Sequence, residues 1–131
     1  MPTLSDVLDL EEKLGHPLPL DYVGFLLRYN AVFISSALRV NPSPEYPYDN
    51  LCIDGFLGIN TGNEHREVTS QLGLFDSRIL PIATDPGAFL YAMALTDSDD
   101  FERGDIYLKT YDDWYYMAHG IEDFCSMIIL P

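Results

Sequence analysis

The segment Asp97-Ser98-Asp99-Asp100-Phe101-Glu102-Arg103-Gly104-Asp105 holds the densest set of reactive side chains in the chain. Clustered carboxylates invite a calcium reading. A calcium loop of the EF-hand kind needs oxygen ligands at positions 1, 3 and 5, Gly at 6 and Glu at 12. Counted from Asp97, positions 5, 6 and 12 are Phe101, Glu102 and Leu108, so the pattern fails. Two readings stand: a solvated loop, or an acidic patch that steers a basic partner. His16, His65 and His119 lie far apart and form no His-x-x-x-His or Cys-x-x-Cys spacing, so zinc is not expected. Glu64, His65 and Glu67 read as charges in the first turn of a helix, where acids suit the dipole. There is no Gly-x-Ser-x-Gly elbow and no Gly-rich loop with a Lys to cradle phosphate. No catalytic residue, metal ligand or cofactor is expected.

Aromatic residues carry the other signal. Trp114-Tyr115-Tyr116 follows Asp112-Asp113, and Tyr46-Pro47-Tyr48 lies between Glu45 and Asp49. Strand alternation sends Tyr115 to the face opposite Trp114 and Tyr116. Tyr and Trp beside acids suit a protein interface, although aromatics also simply pack in sheets. The candidate partner-binding residues are Asp97, Asp99, Asp100, Glu102, Asp112, Asp113, Tyr115, Tyr46 and Tyr48.

The charge supports that emphasis. Net charge is −14 in 131 residues. Residues 97–131 hold nine Asp/Glu against two Lys/Arg, which is −7; residues 1–96 hold twelve against five, also −7. Such a field repels nucleic-acid phosphate and anionic membranes and speeds encounter with a basic protein. It also serves plain solubility. A hydrophobic share of 47% is that of a globular chain, and 131 residues suit a single domain over 1–131. No apolar run reaches membrane-spanning length, and Met1-Pro2-Thr3-Leu4-Ser5-Asp6 does not open a secretory signal. Cys52 and Cys125 sit in apolar segments and read as buried free thiols. A cytoplasmic location fits these features.

The elements that must position these groups can be read in order. Val7, Leu10 and Leu14, widened by Leu4 and Leu8, predict a helix over 4–14, with Thr3 and Asp6 as a capping box and Gly15 as its stop. Tyr22, Phe25, Leu26 and Tyr29 share one face of a second helix over 18–29, which Asn30 can end. Strands are predicted over 32–40, 51–59, 79–83, 89–95, 106–111 and 114–118, with Gly55 and Gly58 marking a bulge or bend. The last two form a hairpin. Pro81 favours an edge or strand-start position. A third helix is predicted over 63–72, ended by Gly73, and a fourth over 120–130 with Ile121, Phe124, Cys125 and Ile128 on one face. Neighbouring strands with helices gathered at the ends make this an α+β chain.

Several of these segments carry a family pattern. Leu14-Gly15, Pro17-Leu18-Pro19-Leu20-Asp21-Tyr22, Phe25-Leu26 and Tyr29-Asn30 together resemble the opening signature of the SMI1/KNR4 family, in the SUKH superfamily. Phe56-Leu57-Gly58-Ile59, Leu80-Pro81-Ile82-Ala83-Thr84-Asp85 with Gly87, and Ala118-His119-Gly120-Ile121-Glu122-Asp123-Phe124 resemble its later segments, in the same order. Ala31-Val32 stand where family members often have Gly-Gly, and His119-Gly120-Ile121 where Asp-Ser-Phe is usual. The resemblance implies a mixed, largely antiparallel sheet flanked by helices. It implies a non-catalytic protein-binding role: an immunity protein that neutralises a cognate toxin, often a nuclease, or a regulatory scaffold for an endogenous partner. The charge implies a basic partner, and the resemblance implies that this partner is a toxin domain.

Overall fold

Thr3 starts the first helix as expected. Its hydroxyl accepts from the Asp6 N–H at 3.3 Å while the Asp6 carboxylate accepts from the Thr3 N–H at 2.8 Å, so two orphan donors are satisfied at once. In the computed structural model, which describes residues 1–69 and 78–130, α1 runs Leu4–Leu14 and ends on Gly15 at φ 78°. Val7, Leu10 and Leu14 are buried, but Leu4 and Leu8 are exposed and do not widen the apolar face. The Glu11 carboxylate then accepts from the Leu18 N–H at 2.6 Å. That bond and the extended Pro19 (ψ 140°) delay α2 to Leu20–Arg28, two residues later than its pattern predicts. Tyr22 and Leu26 face the core, Phe25 is half-buried, and Tyr29 is half-exposed rather than core.

Asn30 makes the turn from α2 into the sheet at φ 56°. Short polar side chains tolerate this left-handed geometry better than others. The strands are β1 (Val32–Val40), β2 (Cys52–Phe56), β3 (Ile79–Thr84), β4 (Leu90–Ala94), β5 (Ile106–Lys109) and β6 (Trp114–Ala118). Helix α3 (Gly120–Ser126) and a two-residue strand β7 (Ile128–Ile129) complete the described chain. The seven strands form one sheet in the order β6-β5-β4-β3-β2-β1-β7, with antiparallel neighbours. Parallel pairing occurs only at the isolated bridge Gly58–Glu67, among the described residues. The fold is therefore α+β with an antiparallel sheet.

Four expectations need correction. The predicted helix over 63–72 is, in its described part, a 3-10 turn at Glu64–Arg66 interrupted by an extended Glu67, with 3-10 geometry again at Val68 and Thr69. The Glu67 carboxylate accepts from the Asn60 and Thr61 N–H groups, and Gly58 donates its N–H to the Arg66 carbonyl while its own carbonyl accepts from the Val68 N–H, which holds the segment against residues 58–61. The rest of that predicted helix, and Gly73, fall outside the described residues. Pro81 lies in a central strand. The rule survives locally, because β2 pairs only with Ala83 and Thr84 and the β3–β4 register slips beside Pro81. The last helix stops at Ser126, and Ile128 instead pairs with Val40 as part of β7. Cys52 and Cys125 are free but half-buried. The bend expected near Gly55 is present: the β1–β2 register breaks between Phe33 and Leu38, and a Cβ on Gly55 would stand 2.9 Å from the Val32 carbonyl oxygen.

Alternation along the strands sorts side chains to two faces. Leu80, Ile82, Tyr91, Met93, Ile106, Leu108 and Met117 join the helices in the main core. Ile79, Ala92, Ala94 and Tyr107 face the other way, with Phe101, Trp114 and Tyr116 packed against them. No helix among the described residues is long and apolar enough to cross a membrane.

The Asn30 side chain donates to the Ile59 carbonyl and accepts from the Ile59 N–H, both at 2.9 Å, in a buried setting. Asn30→Ala should cost about 2–4 kcal/mol, because two buried backbone groups lose their partners. Asn30→Asp should keep the acceptor bond and lie between the two, as read by urea unfolding.

Candidate functional site

The second face of the sheet, away from the helices, builds a concavity. Tyr107 from β5 and Trp114 and Tyr116 from β6 form its floor. Alanine at 92, directly across the ladder from Tyr107, leaves room for that ring. The β4–β5 connection folds over one side. Phe101 stands edge-on to Tyr107 at 4.7 Å and to Trp114 at 5.3 Å between centroids. Loop bonds fix this placement: the Asp97 carboxylate accepts from the Arg103 N–H at 2.9 Å, and the Tyr107 hydroxyl accepts from the Glu102 N–H at 2.8 Å. Arg103 in turn donates to the Pro17 carbonyl at 3.3 Å, so the loop is tied to the α1–α2 link. Glu45 arrives from the β1–β2 connection, which crosses to the far edge of the sheet. There the Ser43 hydroxyl donates to the Tyr116 carbonyl at 2.6 Å and the Tyr116 N–H donates to Glu45 at 3.2 Å.

The result is an open cavity of about 800 Å³ lined by rings below and by Glu45, Asp100, Glu102, Asp105 and His119 around it. Asp105 is buried and His119 is largely exposed; Nδ1 of His119 lies 2.6 Å from Asp105 Oδ1. This bond, reinforced by the Asp105 charge, holds the His119 imidazolium above its ordinary pKa of 6.5. Burial, then the Asp105 carboxylate, pushes the Tyr116 hydroxyl up. Glu102, Asp105 and His119 bring donor atoms within 4.8 Å of one another and are a group that could hold a metal ion. His119 already occupies one Asp105 oxygen.

Of the residues predicted from sequence, the structure brings Asp100 and Glu102 to this rim. Asp97 is engaged in the loop backbone, and Asp99 is exposed beside it. Asp112 and Asp113 lie exposed at the tip of the β5–β6 hairpin. Tyr115 points to the opposite face, edge-on to Tyr46 at 5.0 Å. Tyr46 is buried and donates to Asn50 at 2.9 Å, while Tyr48 is exposed against it. Glu45, Phe101, Asp105, Tyr107, Trp114, Tyr116 and His119 were not among the candidates, yet they line the cavity. Phe101 is the sole apolar residue in an acidic loop, a signal that could have found it. The others depend on which sheet face stays open. A second concavity, about 1030 Å³, lies between α2 and α3 and is lined by Phe25, Tyr29, Phe56, Ile121 and Leu130 among others.

Fold and site together define an α+β domain that presents an acidic cavity with an aromatic floor. The chain belongs to the SMI1 / KNR4 family (SUKH-1), which matches residues 1–127. It is 22% identical to the "SPbeta prophage-derived uncharacterized protein YokK" of Bacillus subtilis (strain 168), over 97% of this chain and 74% of that protein. No solved structure is a significant match. The family is consistent with immunity-type proteins and suggests a protein partner.

The Asp105–His119 pair makes a pH prediction. A raised folded-state pKa gives stability that is full below the ordinary 6.5 and is lost as pH rises through the raised value. Asp105→Asn should therefore bring the His119 titration, followed by NMR, back toward 6.5, and the stability difference between variant and parent that this proton contributes should be full below 6.5 and vanish as pH rises through the raised value.

Proposed function

We propose that this chain is an immunity-type protein: a single domain that binds a basic toxin domain in the cytoplasm and neutralises it by occupancy, without turnover. One observation carries the reading. In a chain of net charge −14, Glu45, Asp100, Glu102 and Asp105 line a cavity on the second sheet face together with the half-buried Trp114 and Tyr116. Acidic rims steer encounter, and Trp and Tyr in a partly enclosed setting are the residues that dominate binding energy. Family membership supports the same reading.

In this reading Asp100 and Glu102 make direct contact, and Asp99, Asp112, Asp113 and Tyr48 contribute at the periphery. Asp97 acts by holding the loop, and Tyr46 and Tyr115 by holding the β1–β2 connection against β6. Affinity for nucleic acid is not expected, since the same field repels phosphate.

Co-expression with a candidate toxin taken from a neighbouring gene should rescue growth and yield a stoichiometric complex. The triple variant Asp99→Asn, Asp100→Asn, Glu102→Gln should slow association about tenfold at low ionic strength and flatten its salt dependence. No complex and no rescue would overturn the reading; capture of an endogenous protein without rescue would favour a regulatory scaffold.

A further inference from the structure

We infer that the outward side of α2 pairs two copies of this chain, packed antiparallel about a two-fold axis that passes between Gly24 and Phe25. This surface is separate from the acidic cavity. Among the described residues, none that lines the concavity between α2 and α3 also lines the cavity on the second sheet face.

Gly24 is the first observation. It sits in the middle of a nine-residue helix, where only proline is a poorer choice. The fold itself does not demand a glycine there. Gly24 is not left-handed, and a Cβ at that position would meet nothing within 4 Å among the described residues. Gly58 is the contrast, because its missing Cβ makes way for Asn30. Gly24 instead leaves helix backbone bare along the concavity of about 1030 Å³ that it lines. Bare backbone of this kind lets a second element approach closely.

The residues around Gly24 match one another about a single point. Leu20, Asp21, Gly24 and Arg28 are exposed along one side of α2. Leu20, at 88%, is the most exposed large apolar side chain among the described residues, and Tyr29 is half-exposed at the other end of the helix. A lone exposed leucine needs no explanation. Here, however, Leu20 and Tyr29 lie equally far from the midpoint between Gly24 and Phe25, and so do Asp21 and Arg28. An antiparallel pair about that midpoint sets Leu20 of each copy beside Tyr29 of the other. It sets Asp21 against Arg28, and it lays the half-buried Phe25 ring over Gly24. Each contact then occurs twice, as a two-fold axis requires.

Charge selects a copy of this chain as the occupant. Asp21 and Arg28 have no ion-pair partner among the described residues. The Asp21 carboxylate accepts from the Tyr22 N–H, and the Arg28 guanidinium lies 5.4 Å from the centroid of the Tyr29 ring. Glu122 from α3 lines the same concavity and gives an incoming Arg28 a second acceptor. Two chains of net charge −14 repel, so they can meet only where opposite charges are matched locally. The side of α2 supplies that match in its own sequence.

Sedimentation equilibrium of the full chain at physiological salt should show monomer and dimer exchanging with concentration. Gly24→Gln puts a long side chain on the axis and should weaken the dimer at least about tenfold. At concentrations where the parent is monomeric, the same variant should melt higher, because glutamine is the better helix former. That combination separates a blocked contact from a damaged fold. Asp21→Lys and Arg28→Glu each set like charges together at both contacts, and each alone should weaken the dimer about tenfold. Mixed, the two variants should pair with each other at least about tenfold more tightly than either pairs with itself, because opposite charges then meet at both contacts. A parent chain that stays monomeric at millimolar concentration, a dimer that Gly24→Gln leaves unweakened, or charge variants that fail to pair when mixed would each overturn the inference.

Discussion

One side-chain amide sets the geometry on which the rest of this domain depends. Asn30 turns the chain out of α2 at φ 56° and bonds both the N–H and the C=O of Ile59. In effect it replaces a strand neighbour just beyond β2. Gly58 makes the approach possible: a Cβ there would lie 2.5 Å from Asn30 Oδ1 and 2.6 Å from the Ala31 nitrogen. The helical layer and the centre of the sheet are thus joined at a point with no tolerance for bulk. Asp85 repeats the device at the β3–β4 turn. Its buried carboxylate accepts from the Cys52 N–H at 2.9 Å and the Gly87 N–H at 2.6 Å, fixing the start of β2 to the end of β3. The polar residues of the family pattern at these two places are fasteners, with their hydrogen-bonding capacity directed into the backbone.

With the sheet held in this way, its two faces have separate tasks. One buries Tyr22, Leu26, Ile121 and Phe124 from the helices against the strands. The other carries a smaller cluster, and its edge strand β6 offers Trp114 and Tyr116 to a cavity. An exposed edge strand normally risks pairing with another chain. Here Ser43 and Glu45 occupy the backbone C=O and N–H of Tyr116. The same connection therefore blocks strand addition at this point and delivers a carboxylate to the cavity rim. Recognition at this face is left to side chains.

The Asp105–His119 pair fixes one of the charges at the cavity. Because Asp105 is buried, its charge requires a partner, and His119 supplies one from the N-terminal end of α3. This cross-link joins the acidic loop to the last helix, so the rim of the cavity is anchored to the main core at two places: His119 and the Arg103–Pro17 contact.

Local features were legible from the chain. The capping box at Thr3 and Asp6, the stop at Gly15, the left-handed Asn30, the bulge near Gly55 and the β5–β6 hairpin all depend on residues close in sequence, whose sterics and hydrogen bonds act wherever the segment lies. Alternation also separated Tyr115 from Trp114 and Tyr116. Where periodicity competed with distant partners, it misled. Glu67 was drawn to Asn60 and Thr61 instead of continuing a helix, and Ile128 was drawn to the open side of β1. The site shows the same division. Sequence alone determined that the last third is acidic and aromatic, because charge and residue type need no fold to be counted. Only the tertiary structure decided that Trp114 and Tyr116, not Tyr115, face the opening, and that Glu45 and His119 join Asp100 and Glu102 there. Those groups lie far apart along the chain, and long-range strand pairing and burial, which no local preference encodes, bring them together.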